Sequence, residues 1–230
     1  MNTNTLAPEV AAATLASAHV GNRNLSTDPK RMAVIKVWDA MMRGAREYCE
    51  QEGFVTVHNM PRIGGVSGAC ENTDTLFTLD WYDGKKMLRP QSNQRYIEML
   101  TQASDGGRVC GEIRSFRREL NADNRRLAQF TLFEIEHIGD LNELLGHRAG
   151  IVRTAANEVA AKYAKELALF GRNAADIQDL TSKRITYAEF IELLKPNGFP
   201  DLQWGDDLGA EEEGRAELAQ RHLNFGANDC

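Results

Sequence analysis

Residues 116–130 read FRRELNADNRRLAQF, four arginines and two carboxylates between apolar ends. On either side lie RVCGEIRSF and FTLFEIEHI, two runs that alternate well enough to pair as antiparallel strands across the polar loop. The spacing therefore predicts a hairpin lined with guanidinium groups. Each guanidinium is a planar fork that can hold two phosphate oxygens at once. Arg117 and Glu119, two apart, share a face if both lie on the strand. A cation for phosphate beside an acceptor for an amine or hydroxyl suits a nucleotide, and Phe130 offers a ring for a base. The plain alternative is a solvated turn with surface charge pairs, each worth little.

Working outward, Arg31 to Glu52 carries apolar residues at Val34, Ile35, Trp38, Met41, Met42, Ala45 and Tyr48, a helical stripe that Gly53 stops. Phe54 to Val57 reads as a short strand. The small, polar run 64–73 reads as a mobile loop. Asp83-Gly84 between LFTLDWY and KKMLRP predicts a second hairpin. A helix follows from Ser92 or Asn93 to about Met99, and a long Ala/Leu-rich helix spans 140–172. Thr186-x-x-Glu189 forms a capping box before Phe190, Leu193 and Leu194. Helix, hairpin, hairpin, helix is an α+β order around an antiparallel sheet. Residues 1–28 read as a flexible arm and 29–230 as the folded core.

The bulk composition excludes several classes. A net charge of −6 over 230 residues argues against a broad nucleic-acid footprint. No stretch nears the ~20 apolar residues of a membrane span, and the N-terminus lacks the basic start of a signal peptide. Cys49, Cys70, Cys110 and Cys230 are too far apart for a zinc knuckle and read as reduced thiols of a cytoplasmic protein. His19, His58, His137, His147 and His222 show no ligand spacing, His137 after the second strand being the one of interest. Trp81, Tyr82 and Trp204 are expected to pack against the sheet. Asp206 and Asp207 fit turn caps better than a magnesium site, and no metal-ligating residue is assigned.

FRRELNADNRRLAQF resembles motif 2 of the class II aminoacyl-tRNA synthetases, in the loop length of the asparaginyl type. GFVTVHNMP resembles the end of motif 1, with Pro61 as its proline. CENTDTLFTLDWYDGKKMLRPQSNQRYIEML is similar to the loop, hairpin and QSxQ amino-acid segment of the same family, and ITYAEFIELL and WGDDLGAEEE to the region after motif 2. The likeness covers roughly residues 30–218 and implies a class II synthetase-like antiparallel sheet flanked by helices.

By that resemblance Arg117 holds the α-phosphate and the substrate carboxylate as the catalytic residue. Glu119 serves the adenine side, Arg125 and Arg126 the distal phosphates, and Phe130 stacks on adenine. Glu71, Gln91, Ser92, Gln94, Glu98 and Gln129 contact the amino acid. Where aspartyl members carry a lysine, this chain has Ile97, which favours a neutral, asparagine-like ligand. Arg126, Gln129 and Asn93 depart from the family pattern. No motif 3, with its second ATP-binding arginine and magnesium ligands, follows by residue 230, and no anticodon-binding barrel precedes the core. The expected cofactors are ATP and Mg2+, with no Mg2+ ligands identifiable. The expected activity is adenylation of a small amino acid, or amide ligation, without tRNA, in a homodimer paired through residues 31–61. A dimeric binding or regulatory module, or one half of a split enzyme, is the alternative.

Overall fold

The computed structural model describes residues 28–65, 67–68, 73–118, 127–206 and 208. Asp28 opens the first helix, α1 (Pro29–Gln51). Its carboxylate accepts from the Lys30 amide at 2.9 Å, and proline occupies the first turn, where its missing donor costs nothing. Of the stripe read for α1, Ala45 is buried and Met42 and Tyr48 are half-buried. Ala33, Ala40, Gly44, Ala45 and Cys49 are buried, whereas Met32, Val34, Ile35, Trp38 and Met41 stand exposed.

Small residues win the inner face because α1 packs backbone to backbone against α3 (Leu141–Lys162). A methyl group on Gly44 would come within 2.7 Å of the Ala155 Cα and 2.8 Å of the Thr154 carbonyl oxygen. Arg43 bridges the same two helices, donating to Glu158 at 3.2 Å and to Asp39. Gly44→Ala is therefore expected to destabilise the chain by about 2 kcal/mol, read as a lower urea midpoint. That is the cost of overpacking against backbone, reduced by the better helix propensity of alanine. A midpoint at or above that of the parent would mean that the helices slide apart freely.

The chain turns at Gly53 into β1 (Val55–Thr56), shorter than the four-residue strand read from the sequence, which pairs parallel with β4 (Arg108–Phe116). β4 pairs antiparallel with β5 (Gln129–His137) in unbroken register from Arg108↔His137 to Phe116↔Gln129. The sheet order is β1-β4-β5. It is thus mixed, with β1 running parallel and β5 antiparallel to β4. A separate hairpin joins β2 (Thr78–Asp80) to β3 (Lys86–Leu88), and Asp83 at its turn has φ 58.

The long helix foreseen over 140–172 breaks. α3 ends where Tyr163 leaves helical geometry at φ −129 and hydrogen-bonds toward Arg43, and a short α4 (Ala164–Ala168) follows. Asp140 and Glu143 form a capping box at the start of α3. α2 (Gln94–Ala103) begins later than expected, and the Ser92 hydroxyl accepts from its first amide at 3.0 Å.

The described residues from Ser182 onward belong to a second compact unit. There Thr186 and Glu189 cap α5 (Tyr187–Leu194), which buries Ile191 and Leu194. The Asp206 carboxylate accepts from the Gln203 amide at 2.8 Å, the turn-closing role expected of it; Asp207 lies outside the described residues. The three aromatics foreseen on the sheet are corrected: Trp81, Tyr82 and Trp204 are 42%, 76% and 78% exposed. Trp81 packs edge to face on Tyr82, and Trp204 on Tyr187. Neighbouring rings in turns satisfy each other when no sheet face lies beneath them.

Candidate active site

The pleat of β4 and β5 sorts their side chains between two faces. Val109, Ile113 and Ser115 share one face with Phe130, Leu132, Glu134 and Glu136. Cys110, Glu112 and Arg114 share the other with Thr131, Phe133, Ile135 and His137. Val109 and Ile113 pack with Met60 and Ile97 into a core beneath the first face. Ile97 is fully buried there, so the position where aspartyl members carry a lysine contributes packing and no cation.

Arg117 lies one residue beyond the end of β4, so Arg117 and Glu119 are not two positions of one described strand. The Arg117 amide still donates to the Ala128 carbonyl at 3.0 Å, which carries the ladder one step further. Its half-buried guanidinium sits 5.5 Å from the centre of the Phe130 ring, a cation–π contact.

Four positions along β5 from Phe130, on the same face, stands Glu134. Its Oε1 accepts from the Ser92 hydroxyl at 2.7 Å and its Oε2 from the Asn93 amide at 3.3 Å. Burial raises its pKa above the usual carboxylate range, opposed by those two hydrogen bonds and by the charge of Arg117. Glu136 is also raised, first by burial and then by the neighbouring charges of Glu98 and Glu134. A half-buried acceptor thus lies within electrostatic reach of a cation.

The segment that presents Ser92 is held from several sides. Both Gln91 and Ser92 donate backbone amides to the Ser67 carbonyl, at 2.8 and 3.3 Å. The Gln91 carbonyl accepts from Ser115, and its side-chain amide donates to Thr75, both at 2.7 Å. Gly68, at φ +83, lets the loop press so close that a Cβ would sit 1.9 Å from the Ser92 carbonyl oxygen. Asn93 donates its side-chain amide to the Pro61 carbonyl at 3.0 Å, while its Oδ1 is buried and has no hydrogen-bond partner among the described residues.

Of the residues named from the sequence, the structure brings together Arg117, Phe130, Gln91 and Ser92 around this face. Gln94 and Glu98 are exposed and bond to each other along α2 at 3.5 Å, and Gln129 is exposed at the start of β5. Glu71, Glu119, Arg125 and Arg126 lie outside the described residues. Glu134, Thr75 and the bridging role of Asn93 were missed. The two-residue period placing Glu134 on the face of Phe130 was the available signal. His137 points to the opposite face, its ring 5.3 Å from that of His147. Cavities of about 300 and 720 Å³ also open on that side, away from Glu134. The described residues include no group of three His, Cys, Asp or Glu that could hold a metal ion.

A family model for "tRNA synthetases class II (D, K and N)" matches residues 19–222. The chain belongs to that family. Over 188 residues this synthetase domain is 31% identical to the asparagine–tRNA ligase of Desulforamulus reducens and 32% identical to that of Pyrococcus furiosus. Each alignment covers 80% of this chain and 42% of the relative. The crystal structure of asparaginyl-tRNA synthetase from Pyrococcus horikoshii, complexed with asparaginyl-adenylate, superposes with a TM-score of 0.76 at 28% identity, over 96% of this chain and 48% of that one. The synthetase domain thus spans less than half the length of these relatives, and the α+β architecture expected from the sequence is theirs.

Proposed function

We propose that this domain binds ATP and a small, neutral, asparagine-like amino acid and joins them as an aminoacyl adenylate. The observation that carries the reading is Glu134, a half-buried carboxylate fixed by Ser92 and the Asn93 amide on the same sheet face as Phe130, with Arg117 acting on it. A carboxylate so desolvated seeks a cation, and the ammonium group of an amino acid supplies one. That places the substrate's own carboxylate toward Arg117. The Arg117 guanidinium then faces both the attacking oxygen and the α-phosphate, while Phe130 offers its ring to the base.

In the reaction the amino-acid carboxylate oxygen bonds to the α-phosphorus, the bond from that phosphorus to the bridging oxygen breaks, and pyrophosphate leaves. No side chain forms a covalent bond. The contribution of the site is orientation and stabilisation of the charge spread over the phosphoryl oxygens. Mg2+, which the family chemistry calls on to neutralise phosphate charge, finds no ready ligand set among the described residues, and no step here depends on it.

The neutral side chain is favoured because Ile97 lies in the core and places no charge in the seat. The exposed Met32, Val34, Ile35, Trp38 and Met41 of α1 support self-association through residues 31–61. No helix among the described residues is long and apolar enough to cross a membrane.

Exchange of labelled pyrophosphate into ATP tests the reading. The purified chain is expected to catalyse it with asparagine and much less with aspartate. ATP binding without exchange for either would make the chain a binding module, and exchange only after a second polypeptide is added would make it half of an enzyme.

A further inference from the structure

Two cysteines on the face away from Glu134 have no part in adenylation. Cys49, near the end of α1, and Cys110, in β4, are both fully buried and pack in one cluster, close enough for each thiol to act on the other's ionisation. The backbone fixes this meeting. The Phe54 amide donates to the Cys49 carbonyl at 2.8 Å, closing the turn, and β1 then sets Thr56 opposite Cys110. The Thr56 hydroxyl lies 3.4 Å from the Cys110 sulfur, and the charge of Arg46, one turn before Cys49, also acts on it.

The two thiols are unequal. Hydrogen bonding from Cys49 lowers the Cys110 pKa, with further help from Thr56 and Arg46 against the effect of burial. Hydrogen bonding to Cys110 pushes Cys49 up, and burial adds to it. A thiolate is the reactive form of cysteine, so one partner is suited to attack and the other to resolve. Thr56 and Arg46 both line the cavity of about 300 Å³. A small neutral oxidant entering it comes within one hydroxyl side chain of the Cys110 sulfur.

We propose that Cys110 and Cys49 form a peroxide-oxidisable dithiol, in which Cys110 is the attacking and Cys49 the resolving sulfur, and whose disulfide welds α1 to β4. The Cys110 thiolate attacks one oxygen of a hydroperoxide, hydrogen peroxide being the simplest. The O–O bond breaks, hydroxide leaves and takes up a proton as water, and Cys110 becomes a sulfenic acid. The Cys49 sulfur then bonds to the Cys110 sulfur, the S–O bond breaks, and that oxygen departs as water with the Cys49 proton. Two thiols are oxidised and one peroxide becomes two waters.

The test treats the reduced, folded full chain with hydrogen peroxide, quenches it with an alkylating agent in denaturant, and maps tryptic peptides by mass spectrometry. The expected product is peptide 47–62 joined to peptide 109–114, two hydrogens lighter than the sum of the free-thiol peptides and separated by reductant. In the Cys49→Ser chain, dimedone should capture a sulfenic acid on Cys110. In Cys110→Ser, capture on Cys49 should be about tenfold lower or less. Recovery of both cysteines as alkylated thiols from the parent chain overturns the proposal, as does joining of either to Cys70 or Cys230. Equal dimedone capture in the two variants overturns the assignment of roles. The parent cross-link is read without any variant, so a misfolded serine substitution cannot obscure it, and none of these readouts depends on ATP.

Discussion

Arg117→Ala is expected to reduce pyrophosphate exchange by about 100- to 1000-fold, the loss that follows removal of one preorganised donor from a developing phosphoryl charge. ATP affinity should fall with it, because the same guanidinium that meets the transition state also meets the ground-state phosphate. Folding should change little. In the ligand-free chain the substitution gives up a cation–π contact with Phe130 worth about 1 kcal/mol, while the backbone amide keeps its bond to the Ala128 carbonyl. Arg114→Ala is the matched control, since that arginine is exposed on the opposite face and donates to Thr131. Fluorescence titration with ATP beside the exchange assay separates the outcomes. An Arg117→Ala chain that binds ATP as the parent does would remove the nucleotide reading altogether.

Glu134→Gln should have opposite effects on activity and stability. Removing the carboxylate removes the acceptor for the substrate ammonium, and amino-acid-dependent exchange should fall by about 100-fold or more, since an ion-paired hydrogen bond in a desolvated seat is worth about 3 kcal/mol. Nucleotide binding should survive. Stability responds in the other direction because the folded chain raises the Glu134 pKa, chiefly through burial. A carboxyl raised on folding favours the native state below its unfolded pKa, near 4.3, and that advantage is lost as pH rises through the folded value. The parent should therefore lose stability relative to Glu134→Gln on going from acid to neutral pH, followed by urea unfolding at each pH. A gap that widens in favour of the parent as pH rises would show that Ser92, Asn93 and Arg117 outweigh burial.

The sheet and its two hairpins were legible because period-two alternation is a local signal. RVCGEIRSF and FTLFEIEHI became β4 and β5 over nearly the residues read, and Asp83-Gly84 turns the small hairpin. The inner face of α1 was not legible. Its large apolar residues read as a pairing surface, but the buried small residues Ala33, Ala40 and Gly44 stood out only once α3 was in place, a helix more than 100 residues away. The break at Tyr163 is of the same kind, since no glycine or proline marks it and the tyrosine turns toward Arg43 on another helix.

At the site, Arg117, Phe130, Gln91 and Ser92 could be named from a familiar motif. Glu134 could not, because a carboxylate in an alternating strand reads as solvent-facing until its partner segment is placed against it. Asn93 was visible only as a departure from the family pattern.

That asparagine has a mechanical consequence. Its side-chain amide grips the carbonyl of Pro61 while its main-chain amide grips the carboxylate of Glu134. The bend after the first strand and the proposed anchor for the substrate's nitrogen are therefore two ends of one short lever. Neither can shift by much unless the other follows or a bond breaks, so a disturbance at the Pro61 bend is felt at the Glu134 carboxylate.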